Sequence, residues 1–313
     1  MATNHCENCA APLYGPYCSS CGQHAHSSAR SVLALAQDAL HDLTHIEGRF
    51  WPTLKFLIAK PGRLTQEYFA GRRTLYAPPF RLYLVLSVMF FALSSLIDRV
   101  DPAKSPVVAK TAGPQEMGRV ELGNPLVSAQ VSPSVGPSDG NECADIRMTS
   151  PSSERFVRRL CQRLVADGGR SVAHTFENYI PKTMFVFLPM VAAVLALLFR
   201  RPRRYYVEHL VLVLHNHAAM FTAMAIVSIV HLLAIGVAAA GIPALQLGLD
   251  ELRHGLDAFL MLYLPWYIYR SLRTFYGLPR RGTILRLVPL GGAYLLFLGL
   301  TFGATFLLSA AMT

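Results

Sequence analysis

The chain has 313 residues, 52% of them hydrophobic and 15% charged, with 29 Lys plus Arg against 19 Asp plus Glu. A charged fraction well below the roughly 25% of soluble proteins excludes a disordered polymer and points to lipid as the solvent for much of the chain. The net charge of +10 suggests nucleic acid only until the basic residues are mapped.

Taken in chain order, the elements predict an all-α integral membrane helix bundle of about five transmembrane helices behind a small N-terminal four-cysteine zinc ribbon. The ribbon occupies residues 1–26, where Cys6-x2-Cys9 and Cys18-x2-Cys21 are separated by eight residues. Each pair sets two thiolates at the mouth of one tight turn, and the stretch holding Pro12, Gly15 and Pro16 can fold back between them. Four thiolates enclose one Zn2+ tetrahedrally with no open position, so the metal is expected to be structural and to supply the folding energy of this small segment. A redox pair or disulfides are the competing readings. Gly22 after Cys21 suits the turn better than Ala10 after Cys9, and His5, His24 and His26 are expected in solvent. Residues 1–29 hold no Lys or Arg, which argues against nucleic acid as the ribbon's partner. The opening residues lack the basic start and apolar run of a secretory signal, so the N-terminus is expected in the cytoplasm.

Residues 27–79 are predicted to form amphipathic or interfacial helices. Asp38, His41, Asp42 and His45 recur on one face of a helix over 31–46, either as a metal-binding stripe or, more plainly, as its wetted side. From Gly48 to Tyr83 basic residues alternate with Trp51, Phe56, Tyr68, Phe69 and Tyr76, the composition of helices in a headgroup layer. Pro61-Gly62 separates two helices, Gly71 ends the second, and Pro78-Pro79 redirects the chain. Arg63, Arg72, Arg73 and Arg81 are expected either to meet anionic lipid phosphates or to serve as topology anchors.

Hydrophobic runs then place transmembrane segments at 80–97, 183–199, 206–240, 256–269 and 287–312. The fourth is short and carries Asp257 and Pro265, so a re-entrant or interfacial segment is its alternative. Residues 98–153 read as a disordered external linker rich in Pro, Ser, Gly and Val, and 154–182 as short amphipathic helices. Cys143 and Cys161 share that external side and are expected mainly as free thiols.

Lys and Arg gather in RRPRRYY, Arg200 to Tyr206, and between Arg270 and Arg286, whereas Gly241 to Gly255 holds one Arg, Asp250 and Glu251. The positive-inside rule then gives a multi-pass protein of the inner, cytoplasmic membrane with its N-terminus cytoplasmic and its C-terminus external. On this map the cytoplasmic face carries +11 and the external face −1. The basic excess therefore reads as orientation plus attraction to anionic headgroups rather than to nucleic acid.

The succession of a short ribbon ending in CGQ, then H-x-x-G-R-F, KPGRLTQEY, AGRR-x2-Y-x-PPFRLY entering a span, and later RRYYVEHLVLVLHNHA resembles a bacterial membrane-protein family catalogued as domain of unknown function 3667. The resemblance covers almost the whole chain except the linker, with Ala10 standing where the ribbon usually has Gly. It implies an architecture and draws attention to the histidine-rich stretch, without implying a reaction.

Intramembrane polar residues default to a functional reading. At 100° per residue His209, Asn216, His217 and His231 share one helical face, with Glu208 and His215 together on the other. They are candidates for a metal site, a proton relay or a polar cavity shared with Arg203 and Arg204, and equally for hydrogen bonds that hold helices together. Gly299-x3-Gly303 permits close helix approach within the bundle or in a homodimer. No nucleophile–base pair, phosphate loop or paired-carboxylate motif is apparent. The leading expectation is a non-enzymatic recruitment, sensing or scaffold module that binds anionic lipids and a cytosolic protein. A small transporter or lipid-handling protein, and an intramembrane metal-dependent enzyme, are the alternatives.

Overall fold

The computed structural model describes residues 5–23, 49–101, 157–158, 161–162, 170–201 and 203–312. Among these the protein is all-helical, with seven helices and no strand: α1 (Phe50–Ala59), α2 (Arg63–Phe69), α3 (Pro79–Val100), α4 (Arg170–Leu198), α5 (Tyr206–Ala239), α6 (Pro243–Tyr276) and α7 (Arg280–Met312). Contacts divide the chain into two compact units, residues 1–101 with 184–299, and residues 102–183 with 300–313. In the second unit the Lys182 ammonium lies 4.6 Å from the Tyr179 ring centroid, and Thr305 Oγ1 donates to the Thr301 carbonyl. All geometry below belongs to the first unit.

Among the described residues three helices are long and apolar enough to cross a membrane: α3, α5, and α7 over Arg280–Leu308. The other two expected spans fall in helices that extend beyond them, Arg170–Leu198 and Pro243–Tyr276. The described apolar part of α4, Lys182–Leu198, coincides with the expected 183–199 to within one residue but is shorter than the apolar runs of α3, α5 and α7. The segment 256–269 lies inside α6, an uninterrupted 34-residue helix that keeps Pro265 in its interior. The stretch from Gly241 to Gly255, expected as an outward loop, is mostly the start of α6: only Gly241 and Ile242 separate it from the C-cap of α5, because Gly241 turns the chain at φ 71° and Pro243 opens the next helix. The helix over 31–46, with Asp38, His41, Asp42 and His45, lies outside the described residues, as does Cys143. Cys161 is disulfide-bonded, contrary to the expectation of a free thiol.

The centre of the bundle is α5. Its 34 residues rise about 51 Å, beyond the roughly 30 Å of a hydrocarbon core. It packs mainly on α3 and α6, and α1 and α2 lean on its N-terminal half. Thus α1 and α2 do not merely float at an interface: Leu57, Leu64, Thr53, Thr65 and Tyr68 are all buried. Lys60, Pro61 and Gly62 separate the two helices. Gly62 takes φ 78° at the start of α2, and a Cβ there would meet the Ser271 backbone of α6, with Ser271 Cα at 3.0 Å. Gly71 ends α2 at φ 87°, and Pro79 begins α3. Side chains complete the dock: Gln66 Nε2 donates to the Thr274 carbonyl at 2.6 Å, and Tyr267 Oη donates to the Leu57 carbonyl at 2.8 Å.

Candidate functional site

The four N-terminal cysteines converge. Their sulfurs all lie within 4.8 Å of one another, with Cys6 to Cys21 at 3.5 Å and Cys9 to Cys18 at 3.6 Å. A tetrahedral zinc thiolate centre with arms of ~2.3 Å has edges of ~3.8 Å, so this donor set fits the ion the spacing calls for. Two matching turns build it. The Ala10 amide donates to the Cys6 carbonyl and the Cys6 amide to the Ala11 carbonyl; the Gly22 amide donates to the Cys18 carbonyl and the Cys18 amide to the Gln23 carbonyl. Both turns need a left-handed residue after the second cysteine, Ala10 at φ 59° and Gly22 at φ 73°.

A side chain there is strained by about 1–2 kcal/mol, partly offset by the lower entropy of an unfolded alanine. Ala10→Gly is therefore expected to stabilise the metal-loaded ribbon by about 0.5–1 kcal/mol. Competition with a chelator measures this as tighter metal retention.

The ribbon is fastened to the bundle by the residue that follows Gly22. Gln23 is buried; its Nε2 donates to the Gly71 carbonyl at 2.6 Å, and its Oε1 accepts from the Arg73 amide at 3.4 Å. Glu7 covers Gly71 so closely that a Cβ there would strike its side chain. The C-terminal end of α2 is itself tightly held. Arg72 forms an ion pair with Glu67, while Arg73 lies 4.9 Å from the Tyr68 ring centroid and donates from Nε to the Tyr68 carbonyl. Two of the four arginines expected at headgroups are thus committed to α2; Arg63 is exposed and Arg81 half-buried.

The hydrogen bond from Arg72, with its charge, holds the Glu67 carboxyl below its ordinary value of 4.5. A lowered folded-state value means that this pair contributes fully above the ordinary carboxylate range and is lost as pH falls through the depressed value. Acidification below about pH 4 is expected to lower the melting temperature of the wild type more than that of Glu67→Gln, as thermal scans across pH would show.

The polar residues of α5 are parcelled out to different neighbours instead of enclosing one cavity. His209 Nδ1 shares a 2.5 Å hydrogen bond with Tyr276 Oη of α6. His215 Nδ1 pairs with Thr65 Oγ1 of α2 at 2.8 Å, and Asn216 Oδ1 accepts from Ser271 Oγ of α6 at 2.6 Å. His217 uses Nδ1 on the Val213 carbonyl at 2.9 Å and Nε2 on Tyr294 Oη of α7 at 3.4 Å. His231 lies 3.7 Å from Asp101, just beyond α3 and far along α5 from His209. Glu208 accepts from Arg204 at 2.6 Å and from the Tyr205 amide at 3.0 Å, capping α5. The helical wheel groups four of these by angle, but 22 positions separate His209 from His231, about 33 Å of rise.

Thr65 and His215 are both buried. Thr65→Val removes the one partner of His215 Nδ1 while keeping the shape, and is expected to cost about 1–3 kcal/mol in thermal unfolding of the detergent-solubilised protein.

The sequence left Gln23, Thr65, Gln66, Ser271, Tyr276 and Tyr294 unassigned. Gln23 carried a signal as the last residue of the CGQ motif, and Thr65 and Gln66 as part of KPGRLTQEY. The others became visible through the helices they face. No curated protein and no solved structure matches the chain. Residues 47–91, which carry α1, α2 and the entry into α3, match the model of a family described as protein of unknown function (DUF3667), so this docked helix pair is the part of the chain similar to that family.

Proposed function

We propose that the protein is a non-enzymatic membrane scaffold that presents a structural zinc ribbon to a cytosolic protein. In this reading Cys6, Cys9, Cys18 and Cys21 hold one Zn2+, whose role is to fold the segment and not to react. The observation that carries the reading is the Gln23 bridge to Gly71 and Arg73. It makes the ribbon an extension of the bundle with a set orientation, where a tethered module would have none. The ribbon's outward side offers Tyr14 and Tyr17, 89% and 64% exposed, and amphipathic aromatics of this kind are common anchors for partner proteins. All five expected spans cross in this proposal, with the ribbon and the basic ends of α4, α6 and α7 on the cytoplasmic side of an inner membrane. Arg63 and Arg81 would then stand near anionic headgroups.

A transporter or metal enzyme built on α5 gains no support from histidines that each bond a different neighbour. The test combines metal analysis with cross-linking in cells. Purified protein should carry one zinc and no iron. A photo-reactive residue at position 14 should give a discrete protein adduct that is lost in Tyr17→Ala while zinc content and membrane insertion persist. A second bound metal, or an adduct pattern indifferent to Tyr17, would contradict the reading.

A further inference from the structure

A cavity of about 520 Å³ opens where α4 ends and α5 begins, lined by Phe199, Arg200, Arg201, Arg203, Arg204 and His209. That volume falls within the range of small-molecule sites. Its floor is fixed: the buried Phe199 ring stacks on Tyr276 at 4.0 Å, and Tyr276 in turn holds His209, which is 1% exposed. Arg204 is anchored at the edge by Glu208, by the Phe275 carbonyl at 2.9 Å and by the Phe275 ring at 4.1 Å.

Three features leave this cavity short of negative charge. Arg200, Arg201 and Arg203 are exposed and make no hydrogen bond or ion pair among the described residues. Among the described residues that line the cavity none is acidic, and the neighbouring carboxylate of Glu208 has both oxygens engaged, by Arg204 and by the Tyr205 amide that it caps. Arg204 Nε is buried and has no hydrogen-bond partner. Four guanidinium groups around one committed acid concentrate positive charge at this cavity, and the planar fork of guanidinium matches phosphate oxygens, of which a single phosphate offers enough for several arginines.

We propose that this cavity binds a phosphate group, carried either by a lipid headgroup or by a small soluble phosphate. Arg200, Arg201 and Arg203 supply charge and directional donors from the rim. Arg204 and His209 form a rigid wall, the His209 ring being held in place by Tyr276. Phe199 supports the apolar part of the ligand next to the phosphate. The site is separate from the zinc ribbon and does not depend on its proposed role.

The experiment compares two double variants of equal charge change on exposed residues, Arg200→Gln/Arg203→Gln in the cavity and Arg280→Gln/Arg281→Gln at the start of α7. Calorimetric titration of the detergent-solubilised protein with inorganic phosphate forms one arm. The other measures binding to phosphatidylcholine nanodiscs with and without phosphatidylglycerol, by native mass spectrometry of the retained lipid. The cavity variant should lose at least tenfold in affinity in one arm, the α7 variant less than threefold, and Arg200→Lys/Arg203→Lys should recover part of the loss. A loss confined to the phosphate arm identifies a soluble ligand, and one confined to the nanodisc arm a headgroup. Equal losses in the two Gln variants, or none in either arm while helical content and melting temperature are kept, would overturn the proposal.

Discussion

Gly62→Ala is expected to destabilise the protein by about 3 kcal/mol or more, and the cost should come from two separable sources. The first is conformational, since φ 78° lies in the left-handed region, where a Cβ costs about 1–2 kcal/mol. The second is steric and falls on backbone. The new methyl meets the Ser271 carbonyl oxygen and stands 3.1 Å from its carbonyl carbon, and neither can rotate away as a side-chain tip could. The whole of α2 must move off α6. That movement breaks the Gln66 bond to Thr274, stretches the Thr65–His215 bond and uncovers Leu64 and Tyr68. Gly277→Ala serves as the comparison, because Gly277 has nearly the same φ, 66°, with nothing within 4 Å of a new Cβ. Thermal unfolding in detergent should therefore show a drop for Gly62→Ala at least twice that for Gly277→Ala. Equal drops would mean that α2 and α6 are not in the contact described.

Exchanging Cys6, Cys9, Cys18 and Cys21 together for Ser should remove metal binding altogether and unfold residues 5–23. The segment has little apolar core of its own beyond Cys6 and Cys18. Structural zinc sites of this size contribute about 10–16 kcal/mol of apparent binding free energy at neutral pH, far more than a segment this short can replace by packing. Insertion of α3, α5 and α7 depends on their own hydropathy and should be unchanged. Zinc content falling from one per chain to none, with unchanged membrane fractionation, is the expected result.

What the sequence reveals and what it hides follow from which interactions are local. The two cysteine pairs are legible because a metal centre needs donors at fixed short spacings, and the strain at Ala10 is legible for the same reason: position and turn type lie within five residues. The helix break at Pro61–Gly62 is written in residue types with restricted backbones. Why the glycine is indispensable is not, since its reason is the Ser271 backbone, 209 positions away. The same holds for the histidines of α5. Periodicity gives the direction in which His209, Asn216, His217 and His231 point, but whether they converge depends on the neighbouring elements: α6 takes His209 and Asn216, α7 takes His217, and His231 meets Asp101 at the end of α3. Membrane hydropathy was decisive for α3, α5 and α7, whose apolar runs are long. It was ambiguous for α6, where Asp250, Glu251, Arg253 and Asp257 interrupt a helix that is continuous from Pro243 to Tyr276.

Arginines illustrate the same division between composition and geometry. Arg72 and Arg73, read from composition as headgroup contacts or topology anchors, also close α2, whereas Arg200 and Arg201, which by sequence mark membrane orientation, line a cavity together with Arg203, Arg204 and His209, three residues that the sequence groups around a polar cavity. Charge maps locate a face; only the partners of each side chain separate anchors from binding groups.

The central claim is that the metal centre and the bundle are mechanically joined through Gln23, Gly71 and Arg73. Hydrogen exchange of the protein in nanodiscs, comparing the zinc-loaded wild type with the four-cysteine variant, tests this most directly. The joined arrangement predicts that loss of the metal accelerates exchange of the amides of residues 70–73 at least tenfold while the centre of α5 stays protected. Unchanged exchange at residues 70–73 in the metal-free variant would contradict it.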